Sequence, residues 1–94
     1  MSNMSLNSVI QGGRVDVSSA EPTTVYGGRT GMGIQIKAAP TNTGTIYLGG
    51  TDVNNNLKGY PMLAGDSLFL PMNDCSQLRA LAEVDGERLH YFVL

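Results

Sequence analysis

His90, Cys75 and Ser76 are the residues whose side chains could take part in covalent chemistry. A histidine brought beside a thiol or hydroxyl makes a nucleophile–base pair, and this chain has one histidine and one cysteine. His90, however, falls inside the strand-like run Leu89-His-Tyr-Phe-Val-Leu94, where a structural or interface imidazole is the more economical reading. Cys75 reads as a small buried apolar side chain rather than a reactive thiol. Asp52, Asp66, Asp74 and Asp85 all sit in turn-forming stretches. Asp52-Val-Asn-Asn-Asn56 supplies only a fragment of a calcium loop, so Asx turns explain these acids better. Gly27-Gly-Arg-Thr-Gly-Met-Gly33 lacks the Gly-Lys-Ser/Thr ending of a phosphate loop and the helix that would follow it. It reads as a hairpin tip or a close backbone approach, with Arg29 available for a rim contact to an acidic partner. No catalytic, metal or cofactor site is expected, and a hydrolase using His90 with Cys75 or Ser76 stays a formal alternative.

The elements that would position these residues are strands. Period-two alternation recurs in short pieces bounded by turn residues, and no stretch sustains helical periodicity. The expected strands are Arg14 to Ser18, Thr23 to Tyr26, Gly33 to Ala39, Gly44 to Gly49, Asp66 to Leu70, Arg79 to Val84 and Leu89 to Val93. That pattern predicts an all-β fold, a small antiparallel β-sandwich or barrel-like domain. Asp85-Gly86 is the clearest hairpin signal, and Asn73 to Leu78 the one expected helical turn, with Asn73 or Asp74 accepting from a free amide at its start.

Composition narrows the function classes. The 94 residues make one domain, expected over residues 14–94, and a core of this size gains from association with other chains. A lone cysteine provides no internal disulfide. Six Lys/Arg are scattered among eight Asp/Glu for a net charge of −2, which argues against a nucleic-acid partner. Residues 1–13 carry no charge and no continuous apolar run, so neither a signal peptide nor a membrane span is expected there. They read as an extended N-terminal arm whose Met4, Leu6, Val9 and Ile10 dock on a partner.

Several strands carry large apolar groups on both faces. Ile46 and Leu48 oppose Tyr47, Leu68 and Leu70 oppose Phe69, and Leu89, Tyr91 and Val93 oppose His90, Phe92 and Leu94. A solvated outer face would be more polar. Tyr47, Phe69, His90 and Phe92 are therefore the candidate oligomer-interface residues, expected to cluster into an association patch.

In Ile46-Tyr-Leu-Gly-Gly-Thr-Asp-Val53, Gly59-Tyr-Pro-Met-Leu-Ala-Gly-Asp-Ser-Leu-Phe-Leu-Pro71 and Asn73-Asp-Cys-Ser-Gln-Leu-Arg-Ala-Leu81, the chain resembles small β-rich virion proteins of tailed bacteriophages. Met62 and Cys75 stand where that pattern would carry Leu. The resemblance implies a capsid decoration (cement) protein made in the host cytoplasm and resident on the capsid surface. Its implied partners are the major capsid protein and two further copies of itself in a homo-trimer, which joins the expectation from charge and apolar patterning of no nucleic acid and no membrane. A head-fibre, tail or connector component is the structural alternative. A carbohydrate-binding β module, stacking sugars on Tyr26, Tyr47 or Tyr60, is the alternative from another class.

Overall fold

Side chains alternate between buried and exposed along the strands of the computed structural model, which describes residues 11–54 and 59–94. Among the described residues there are eight strands and no helix: β1 (Gln11–Val17), β2 (Thr23–Thr24), β3 (Ile34–Ala38), β4 (Ile46–Gly49), β5 (Tyr60–Met62), β6 (Ser67–Leu70), β7 (Arg79–Ala82) and β8 (Glu87–Val93). They form two four-stranded antiparallel sheets, ordered β1-β8-β3-β6 and β2-β7-β4-β5. The all-β fold expected from the alternation is observed, and of the two forms expected, sandwich or barrel-like, it is the sandwich.

The topology follows from doubling the chain on itself between β4 and β5. β1 pairs with β8, β2 with β7, β3 with β6, and β4 with β5, making one long two-stranded ribbon. Rolling that ribbon brings β3 beside β8 and β4 beside β7, which completes the sheets. An eight-stranded jelly roll results. Every connection except β4 to β5 therefore passes from one sheet to the other.

The inward-facing residues fill the space between the sheets. Ile34, Ile36, Ile46, Met62 and Leu89 are fully buried, and the small Ala38, Ala80 and Ala82 lie among them. Mixing large and small side chains lets facing layers interlock at interior density. Each buried Ile or Leu contributes roughly 1.5–3 kcal/mol relative to exposure.

The structure revises several local expectations. Gln11, Gly12 and Gly13, expected in the N-terminal arm, are strand residues paired with Val93, Phe92 and Tyr91, and the rest of the expected arm lies outside the described residues. β2 is only two residues long, and β5 is a strand that the sequence pattern did not reveal. Pro61 hides it: proline cannot donate to a ladder, and it is accommodated here because β5 is an edge strand. Asn73 to Leu78 holds no helical turn. The Asp74 carboxylate accepts from the Ser76 amide at 3.0 Å, and the Leu78 amide bonds the Cys75 carbonyl at 3.1 Å. This side-chain-bonded turn competes with a helix, and the chain then enters β7. Asp85-Gly86 closes a turn, with Gly86 at φ 84°, but not a hairpin. β7 is already flanked by β2 and β4, and β8 by β1 and β3, so the turn is a corner between sheets.

One buried carboxylate fastens that corner. Glu87 is 7% exposed. Its Oε1 accepts from the Thr43 amide at 3.0 Å, the Thr43 hydroxyl at 2.9 Å and the Gly44 amide at 3.1 Å. Burial alone would raise its pKa, yet the bonds from Thr43 and Gly44 together outweigh burial and hold it below the ordinary 4.5.

Candidate functional site

Cys75 and His90 are not brought together. Cys75 is fully buried in the core cluster, and burial, followed by the nearby Asp74 charge, pushes its thiol pKa up. His90 points the other way, outward from β8, opposite Arg14 on β1 and Lys37 on β3. A thiol inside the sandwich and an imidazole outside it make no nucleophile–base pair. Among the described residues, no group of three or more His, Cys, Asp or Glu is placed to hold a metal ion. Nor is any helix there long and apolar enough to cross a membrane.

What the fold does assemble is the outer face of the β1-β8-β3-β6 sheet. Strand register sets its rows. Gly12, Phe92, Gln35 and Phe69 lie side by side across all four strands, and Arg14, His90, Lys37 and Ser67 form the next row. Asp16 and Arg88 follow, 3.8 Å apart. Beyond the first row lies Leu94, whose amide donates to the Gly33 carbonyl at 2.9 Å. The face thus runs from an apolar end through a row bearing Arg14 and Lys37 to the Asp16–Arg88 pair. Phe92, Leu94 and Phe69 remain 55%, 42% and 39% exposed. An open trough of about 570 Å³ runs over the middle of the face, lined by Gly12, Gln35, Lys37, Ser67, His90 and Phe92 among others.

Two glycines make room for the aromatic rings. A Cβ at Gly12 would stand 2.9 Å from Phe92 Cε1, and one at Gly33 would stand 2.5 Å from Phe69 Cζ. Each phenyl ring therefore lies over bare backbone of a neighbouring strand or its approach, which a side chain at either glycine would prevent. Gly33 is thus a close backbone approach, one of the two roles the sequence suggested for its glycine-rich segment. Arg29, from the same segment, lies 4.0 Å from Asp74 of its own chain.

Of the residues nominated for an interface, Phe69, His90 and Phe92 share this face. Tyr47 does not. Its neighbours Ile46 and Leu48 point into the core, so Tyr47 faces outward from the other sheet, half-buried. The nominated arm residues Met4, Leu6, Val9 and Ile10 lie outside the described residues. Tyr26, Tyr47 and Tyr60 do not form one cleft: Tyr26 packs on Tyr91 at 5.6 Å between ring centres, whereas Tyr60 sits on the β5 edge. Sequence reasoning placed Leu94 with His90 and Phe92 but missed Arg14, Gln35 and Lys37 as members of the face. Their outward parity was readable, but their adjacency depends on cross-strand register.

No family model, curated protein or solved structure matches the chain.

Proposed function

We propose that this protein is a structural component of a tailed-bacteriophage virion, a capsid decoration protein that binds the outer capsid as a trimer and stabilises contacts between coat subunits. The observation that carries this reading is the adhesive face, on which Phe69, Phe92 and Leu94 are exposed together beside Arg14, Lys37 and Arg88. Rings that already rest on glycine backbone have less freedom to lose on association, which lowers its ordering cost. The resemblance of the segments from Ile46 to Leu81 to small phage virion proteins supplies the particular setting. Fold-level analogy adds little by itself, since jelly rolls serve capsid proteins and lectins alike.

In this reading the work is adhesion. Three linked copies bind with a high effective concentration, so contacts that are individually modest oppose separation of the coat subunits they bridge. Met4, Leu6, Val9 and Ile10 supply the apolar contacts of an arm reaching the coat. The test uses capsids of the encoding phage stripped of this protein, incubated with the full chain and with a variant lacking residues 1–10. The full chain should attach at many sites per shell and raise the capsid's heat resistance, and the shortened chain should attach much more weakly. Failure of the full chain to attach refutes the reading. Attachment at one vertex in low copy number would replace it with a connector or tail role.

A further inference from the structure

One face of this acidic chain carries an excess of cations. Three of its six Lys/Arg, namely Arg14, Lys37 and Arg88, lie on the outer face of the β1-β8-β3-β6 sheet together with His90. Of its eight Asp/Glu, that face carries Asp16 alone, already beside Arg88. Among the described residues, neither Arg14 nor Lys37 has a carboxylate at ion-pair distance.

The corner between β7 and β8 has the opposite character. Its exposed tip reads Glu83-Val84-Asp85, an apolar side chain 46% exposed between two carboxylates. Both acids are held from behind. The Thr45 amide donates to Glu83 Oε1 at 3.2 Å and the Ser19 amide to Asp85 Oδ1 at 3.0 Å, leaving each carboxylate a second oxygen. Glu21 belongs to the adjoining turn, which is tied to the corner through Ser18 and Ser19.

We propose that the trough on the outer face of one copy receives the Glu83-Val84-Asp85 corner of a second copy. Val84 packs among Phe92, Gln35 and the floor at Gly12, and the two carboxylates meet Arg14 and Lys37. Two such faces set against each other would juxtapose like charges, so the contact joins different surfaces of the two copies. Contacts of this kind close into rings when the rotation permits. The inference rests on the trimeric reading above and deepens it by naming both halves of the contact.

Sedimentation velocity of the full chain provides the test. One variant reverses the face (Arg14→Glu with Lys37→Glu), another reverses the corner (Glu83→Lys with Asp85→Lys), and circular dichroism checks that both fold. The wild-type chain should self-associate, about tenfold or more weakly at high than at low salt. Each variant alone should be monomeric at concentrations where the wild type is associated. An equimolar mixture should associate again, because each reversed surface then meets its complement. Should the corner variant fail to fold, Val84→Ser takes its place and should weaken association several-fold; unchanged association in Val84→Ser would overturn the contact. Association that survives in both charge variants, or a mixture that stays monomeric, overturns this contact and leaves the trimeric reading standing. A strictly monomeric wild type overturns the contact and the trimer together, while capsid attachment separately decides the decoration role. Binding of an oligothymidine by the wild type, lost in the face variant, would reassign the face to single-stranded nucleic acid and overturn the proposal.

Discussion

Replacing Glu87 by glutamine keeps the shape of the buried side chain and removes its charge. Three donors converge on the wild-type carboxylate: the Thr43 amide, the Thr43 hydroxyl and the Gly44 amide. A hydrogen bond to a charged group contributes about 1.5–3 kcal/mol, and a buried donor left without an acceptor costs a similar amount. Glutamine can keep its carbonyl oxygen at the Oε1 position, but the bonds to it lose their charge, and its NH2 group replaces the Oε2 that also accepts from the Thr43 amide at 3.2 Å, so a net loss of about 2–3 kcal/mol is expected. For a domain of this size that lowers Tm by roughly 10–20 °C. The pH dependence provides the sharper check. Glu87 has a folded-state pKa below its ordinary 4.5, so its stabilisation is complete above that pH and is lost as pH falls through the folded value. A protonated carboxyl and a carboxamide are nearly isosteric, so the wild type and the Glu87→Gln variant should converge in stability as acid protonates Glu87. Thermal melts followed by circular dichroism, run from neutral pH down into the acid range, measure both quantities. A Tm difference under about 3 °C at neutral pH, or a difference that does not shrink with acid, would refute the assignment of Glu87 as the charged anchor of the corner.

Gly33→Ala should cost about 2–3 kcal/mol in urea denaturation, because the added Cβ meets the Leu70 backbone carbonyl as well as the Phe69 ring. Gly12→Ala should cost less, about 1 kcal/mol, since its obstacle is the half-exposed Phe92 ring, which can swing into solvent. Ile36→Ala empties a fully buried site between the sheets and should cost about 2–5 kcal/mol by the same measurement. Cys75 should resist a thiol reagent in the folded protein and react only as fast as the chain opens, being fully buried with a raised pKa; prompt labelling under native conditions would contradict its place in the core.

Local pattern carried the fold as far as local forces decide it. Ile34-Gln-Ile-Lys-Ala38 reads as a strand from alternation alone, and its buried positions are the ones alternation assigns. Asp85-Gly86 shows where such reading stops, because the same turn chemistry serves a hairpin or a corner and only strand pairing elsewhere decides between them. Tyr47 failed to join Phe69 and Phe92 for a related reason. Its outward parity was legible, but which sheet β4 enters is settled by its pairing with β5 and β7. Nothing local marks Glu87 as a buried anchor, since its partners Thr43 and Gly44 lie 44 and 43 positions away. Pro61 concealed β5 because strand propensity penalises it without regard to whether the strand lies at an edge.

Glycine and phenylalanine take on joined meaning in this chain. Read separately, Gly12 and Gly33 suggest pliable backbone, and Phe92 and Phe69 suggest greasy surface. In the sheet each ring lies over a glycine of the neighbouring chain segment, so one pairing covers backbone that would otherwise be bare and holds an aromatic face in place. Covering a glycine explains why a ring is present at these positions. It does not explain why the same face also gathers Leu94, Arg14 and Lys37 with Asp16 as its one acid. An isolated chain gains little from concentrating like charges on one sheet, and net repulsion there costs stability. An excess of cations beside exposed aromatics benefits a surface that is covered by something carrying the complementary pattern. Scattered, tolerated apolar groups would have no such charged surround, and an adhesive face would.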